Sequence, residues 1–144
     1  IGFVHKEYPA ILSWLASAFG YHSAFIARGL EGGIVPTLRD SSNNHRMLDN
    51  EMQDCMLDPR EFGIKQETRG VKVDDEITAE RTLEEGLQAL SGQAGPAYDS
   101  LVFGAAIALW HTGLQPSQRQ AANQVRSVIN SGKARTHFDS GIAL

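Results

Sequence analysis

The sequence predicts an α/β fold: a central mixed, mostly parallel sheet flanked by helices. Three observations carry that expectation. "GFVHKEYPAILSWLASAFGYHSAFIARG" reads as strand, helix and strand within about 30 residues, the length of a right-handed βαβ unit. The stretch from Ile34 to Leu57 sets Val35, Leu38, Met47, Leu48, Met52 and Met56 among polar residues, a pattern of short strands or a β-ribbon. The last half carries three apolar helical patterns, each with a start and a stop signal.

Taken in order, the apolar run ending at His5 gives the first strand. Ile11, Leu12, Leu15, Ala16 and Phe19 follow at helical spacing, and Gly20 closes that helix. "HSAFIARG" is a second strand, bounded by glycine. "LDPREFGI" reads as a single helical turn, capped by Asp58, started by Pro59 and ended by Gly63. "ETRGVKVDDE" is a charged, exposed connection. Thr78 then caps a helix that runs through Glu84 to Leu90 and stops at Gly92. Between Pro96 and Gly113 the pattern predicts the central buried helix, with Leu101, Val102, Ala105, Ala108 and Leu109 facing inward. Ser117 starts a more polar helix with Ala121, Val125, Val128 and Ile129 as its inward stripe, and "KARTHFDSGIAL" adds a last one.

Size and composition bound the function. The chain of 144 residues fits one domain, 1–144, long enough to bury about 68–70% of its unfolded surface. Apolar content of 42% with 21% charged residues is ordinary for a soluble protein, and no apolar run approaches the roughly 20 residues that span a bilayer, so no membrane partner is expected. A chain opening on "IGFVH", with no initiator Met and no leader pattern, is expected to be a fragment of a longer product. Cys55 is the single cysteine, which rules out an internal disulfide or a cysteine-built metal cage and fits a reducing cytoplasm. A net charge of −4 offers no overall attraction to nucleic acid.

Few residue patterns point to chemistry. Five histidines, His5, His22, His45, His111 and His137, lack metal-ligand spacing, so each is read as a surface or hydrogen-bonded core residue. Asp74, Asp75 and Glu76 suit a solvated linker better than a cation site. Ser41, Ser42 and Cys55 have no neighbouring base and make poor nucleophiles. Trp14 and Trp110 fall within helical patterns and read as core or interface residues. The turn "IARGLEGGIVPTLRD" leaves two readings open. Its glycines free backbone N–H groups for an anion at the carboxyl end of a parallel strand, with Arg28 and Arg39 adding charge. Alternatively Gly29, Gly32 and Gly33 serve only a tight connection that Pro36 closes.

Four segments, in order, resemble the carboxyl-terminal α/β lobe of the anthranilate phosphoribosyltransferase family, the glycosyltransferase group that also contains pyrimidine nucleoside phosphorylases. They are "IGFVHKEYPAILSWLASAFGYHSAFIARG"; "DPREFGI", similar to the family's Pro-Glu-Asp-Phe-Gly; "LVFGAAIALW", similar to its Asn-Ala-Ala-x-x-Leu helix; and "INSGKA", similar to Asp-Ser-Gly-Lys-Ala. The resemblance covers nearly the whole chain and implies one glycosyltransferase family 3 α/β domain over residues 1–144. It also implies the family's place in tryptophan biosynthesis: phosphoribosyl transfer to a small aromatic or nitrogenous acceptor, from phosphoribosyl pyrophosphate held with Mg2+ between this lobe and a helical domain, in a homodimer. The diphosphate loop and the helical domain belong to parts outside these residues, so the chain alone is expected to be inactive.

The resemblance also exposes a departure. The family's magnesium-binding Asp-Glu pair aligns with Gly33 and Ile34, neither of which has a side-chain oxygen, and Glu31 stands two residues early. Gly104 replaces the asparagine of the Ala-Ala helix. In these respects the chain resembles a divergent branch of the family that keeps the fold, lacks transferase activity and binds nucleic acid. That likeness makes single-stranded nucleic acid an alternative partner. The implied substrate- or phosphate-binding residues are Arg28, Gly29, Glu31, Gly32, Gly33, Arg39 and Arg46, with no metal ligand and no cofactor held by the chain itself.

Overall fold

A computed structural model describes residues 1–3, 5–29, 36–65 and 78–142. Strand β1 (Gly2–Phe3), helix α1 (Tyr8–Ala18) and strand β2 (Ser23–Arg28) form the expected βαβ unit, with β1 and β2 parallel in the register Gly2↔Ala27 and Phe3↔Arg28. Strands β3 (Ser42–Leu48) and β4 (Glu51–Leu57) complete a four-stranded sheet in the order β1-β2-β3-β4. The sheet is mixed, as expected, but among the described residues parallel pairing is confined to β1 and β2; β2–β3 and β3–β4 are antiparallel. The antiparallel pairing of β3 with β4 follows from the two-residue turn Asp49-Asn50 that joins them. Both residues take positive φ (47° and 69°), the conformation that matches a tight hairpin to strand twist. Ser17 ties this turn to α1 by donating to Asn50 Oδ1 at 2.6 Å.

Asp58 caps the 3₁₀ turn Pro59–Phe62 by accepting from the Arg60 N–H at 2.9 Å. Thr78 and Ser117 likewise cap α2 (Ala79–Leu90) and α4 (Gln118–Asn130), and α3 (Pro96–His111) and α5 (Lys133–Ile142) complete the helices. Two arginines of α4 lock the 3₁₀ turn onto that helix. Arg119 donates to the Arg60 carbonyl at 2.9 Å, and Arg126 donates to the Phe62 carbonyl at 3.0 Å and to that of Gly63. Gly63 suits this turn because its φ is 74°, a left-handed conformation that residues with a Cβ rarely adopt.

The main core joins α3 and α4 to one face of the sheet through Cys55, Leu57, Phe62, Val102, Phe103, Ala106, Ile107, Ala121, Val125 and Ile129. Phe62 and Phe103 meet edge to face at 4.8 Å. Ile26, Met47 and the α1 residue Ala16 are buried outside that cluster, and α1 packs against β2.

Two helix faces differ from expectation. On α3, Val102 is buried as expected, but Phe103, Ala106 and Ile107 complete the inward arc while Leu101 is 38% exposed and Ala105 and Ala108 face solvent. A helix apolar on nearly every side carries no periodicity to orient it. On α1 the buried residues are Pro9, Ser13 and Ala16; Ile11, Leu15 and Phe19 are exposed, and Trp14, at 68% exposure, is not a core residue. The buried side chains of α1 are small, and the helix packs against β2. The expected charged connection, with Asp74, Asp75 and Glu76, lies outside the described residues.

Candidate phosphate-contacting edge

Strand β2 is apolar through Phe25, Ile26 and Ala27, which carries its carboxyl end through the interior and delivers Arg28 to an exposed rim. On one side Ala27 donates to the carbonyl of Ile1, just before β1, at 2.8 Å, and Gly29 to that of Phe3 in β1, at 3.2 Å. On the other side the ladder with β3 ends at Ile26↔His45. The Arg28 N–H turns to a side chain there, donating to Asn44 Oδ1 at 2.8 Å. Asn44 is fully buried, and its Nδ2 donates to the carbonyl and hydroxyl of Ser42 at 2.7 and 3.0 Å. The buried Asn44 carboxamide is thus paired through both its oxygen and its nitrogen, as burial demands. The Arg28 guanidinium makes no hydrogen bond or ion pair among the described residues.

Beyond the strand, Gly29 bridges to Pro36 in antiparallel fashion, and Thr37 and Leu38 are buried. Thr37 Oγ1 accepts from the Arg39 N–H at 3.2 Å, leaving Arg39 on the exposed side of the turn. Thus Arg28, Gly29 and Arg39 lie on the segments that meet at the Gly29–Pro36 bridge. Glu31, Gly32 and Gly33 lie outside the described residues.

Arg46 is placed elsewhere. It pairs with Phe25 across the ladder, so it shares the sheet face of Phe25, whereas Arg28, three residues on, belongs to the opposite face with Ile26 and Met47. There Arg46 Nε donates to His111 Nδ1 at 3.2 Å, and the guanidinium stacks 4.7 Å over the Trp110 ring. Phe25 meets the His111 ring edge to face at 5.6 Å. Burial first, and the Arg46 charge second, lower the His111 pKa from its ordinary 6.5, so the ring is neutral and Nε2 carries the hydrogen. His111 is thus a hydrogen-bonded core histidine, as the sequence suggests, and it holds Arg46 as a strut between β3 and α3.

Three features lay beyond the sequence reading: Asn44, the Arg46–His111 pair and the lock by Arg119 and Arg126. The Arg46–His111 partners are 65 residues apart, and local periodicity carries no trace of such pairs. A polar residue at an inward strand position is the one signal that could have flagged Asn44. Cys55 is buried, and burial raises its thiol pKa, which keeps it protonated and unreactive. Ser42 is buried and holds Asn44. His45 Nδ1 lies 3.0 Å from the exposed Asp54 carboxylate, an ion pair only when the ring is protonated.

Gly33 and Ile34 have no side-chain oxygen to offer, and among the described residues no group of three or more His, Cys, Asp or Glu comes together. No described helix is long and apolar enough to cross a membrane.

The chain is 28% identical to the anthranilate phosphoribosyltransferase of Chromobacterium violaceum over 145 residues, covering all of this chain and 42% of that protein. It is 26% identical to the anthranilate phosphoribosyltransferase of Aromatoleum aromaticum, covering 99% of this chain and 41% of the relative. The chain therefore spans about two fifths of the length of these curated relatives. Residues 1–135 match the family described as glycosyl transferase family, a/b domain. A mixed sheet with helices packed on it, opened by a βαβ unit and matched along almost its whole length, makes this chain a member of that glycosyl transferase family, in its a/b domain.

Proposed function

We propose that the chain is the α/β lobe of a phosphoribosyltransferase-like protein, and that the carboxyl end of β2 is the edge where this protein contacts phosphate without magnesium. The observation that supports this reading is Arg28: an exposed guanidinium, without a partner among the described residues, at the end of a buried parallel strand whose backbone is hydrogen-bonded on both sides. Ligands of open α/β sheets sit at such strand ends. The relatives are anthranilate phosphoribosyltransferases, which adds the substrate class, a phosphoribosyl donor. The 144 residues alone do not carry out transfer, because the family resemblance assigns the diphosphate loop to segments outside them.

Single-stranded nucleic acid offers the same phosphate chemistry but draws less support. That reading calls on Arg28, Arg39 and Arg46 together, and Arg46 is held against His111 and Trp110 on the other sheet face.

The test is calorimetric titration of the full-length protein with phosphoribosyl pyrophosphate, wild type against Arg28→Ala. A charge-assisted bond to phosphate is worth about 1.5–3 kcal/mol, so affinity should fall about tenfold or more. Equal affinity in the two proteins overturns the reading.

A further inference from the structure

We infer that Asn44 is a positioning residue for the phosphate-contacting edge: its buried carboxamide stands in for the missing β3 backbone acceptor and fixes the direction in which Arg28 leaves the sheet. The inference rests on the reading of Arg28 given above.

Along β2 successive N–H groups point to alternate sides. Those of Ala27 and Gly29 point to β1 and are bonded there, so that of Arg28 points towards β3. A continued ladder would offer it a β3 carbonyl, but the pairing has ended at Ile26↔His45. An N–H left unpaired on the partly buried side of the strand is costly. Asn44 supplies the acceptor at 2.8 Å. The carboxamide itself is held in one orientation, because both Nδ2 contacts are to acceptors on Ser42, which is 3% exposed. The backbone ladder therefore ends before Arg28, yet the Arg28 N–H keeps a hydrogen bond to β3 through a side chain. Asn44 does not reach the ligand; it acts through the Arg28 backbone.

The experiment compares full-length wild type, Arg28→Ala, Asn44→Val and Asn44→Ser, measuring thermal stability, hydrogen exchange of the Arg28 amide, and affinity for phosphoribosyl pyrophosphate. In wild type the Arg28 amide should be protected. In Asn44→Val it should exchange at least about tenfold faster, and affinity should fall about tenfold, since small misplacements at a binding group carry large penalties. Asn44→Ser, too short to bridge the gap and milder on folding, should do the same if the valine variant does not fold. Either Asn44 variant folded and binding like wild type, with its Arg28 amide exposed, overturns the positioning role while Arg28→Ala still weakens binding. An Arg28 amide that exchanges freely in wild type overturns it as well. If Arg28→Ala binds like wild type, the reading of the edge fails first and takes this inference with it.

Discussion

Replacing Arg46 by Met separates the two kinds of arginine in this fold. The side chain joins β3 to α3 through His111 Nδ1 at 3.2 Å and stacks over Trp110 at 4.7 Å. Met keeps the apolar stem but removes the donor and the charge. Loss of a hydrogen bond from a charged donor is worth about 1.5–3 kcal/mol and a partly buried cation–π contact about 0.5–1 kcal/mol. The two share one group and do not add, so a net loss of about 2–3 kcal/mol is expected. His111 would then have neither ring nitrogen paired within the described protein. For a domain of this size, that corresponds to a drop of about 5–10 °C in melting temperature. Thermal unfolding measures the loss, and titration with phosphoribosyl pyrophosphate shows whether affinity stays at the wild-type value. Unchanged stability with weakened binding would refute the reasoning, because it would move Arg46 from a strut to the ligand edge.

Three further outcomes follow from the packing. Gly63→Ala forces a residue with a Cβ into φ 74°, so stability should fall by about 1–2 kcal/mol in denaturant unfolding. Phe103→Ala, at 2% exposure and in edge-to-face contact with Phe62, should lose about 3–5 kcal/mol, whereas Leu101→Ala, at 38% exposure, should lose under about 1 kcal/mol; equal losses would mean the α3 face is wrong. His111 has a folded pKa below its ordinary 6.5, so the folded state resists protonation. Its contribution is full above 6.5 and declines as pH falls from there towards the folded value, a slope that urea titrations should find flattened in His111→Gln.

How far the sequence specifies these features depends on range. The opening βαβ unit and the caps at Asp58, Thr78 and Ser117 are local signals, and each formed as read. The facing of α1 and α3 was not legible, because both helices are apolar on nearly every side and their packing partners select which residues are buried: β2 buries Ser13 and Ala16 of α1, and the 3₁₀ turn and α4 pack on α3, where Phe103 and Ile107 are buried. The candidate edge was half legible. Arg28 follows from its place after an apolar strand, but Asn44 and the separation of Arg46 from it depend on strand register, and register is a property of two strands.

Magnesium dependence tests the central claim most directly. Phosphoribosyl pyrophosphate is titrated into the full-length protein in a metal chelator and again in millimolar magnesium. The account predicts affinities that agree within about threefold, under 0.7 kcal/mol, because Gly33 and Ile34 supply no metal ligand and Arg28 supplies the phosphate contact. Binding that tightens about tenfold or more with magnesium would contradict it.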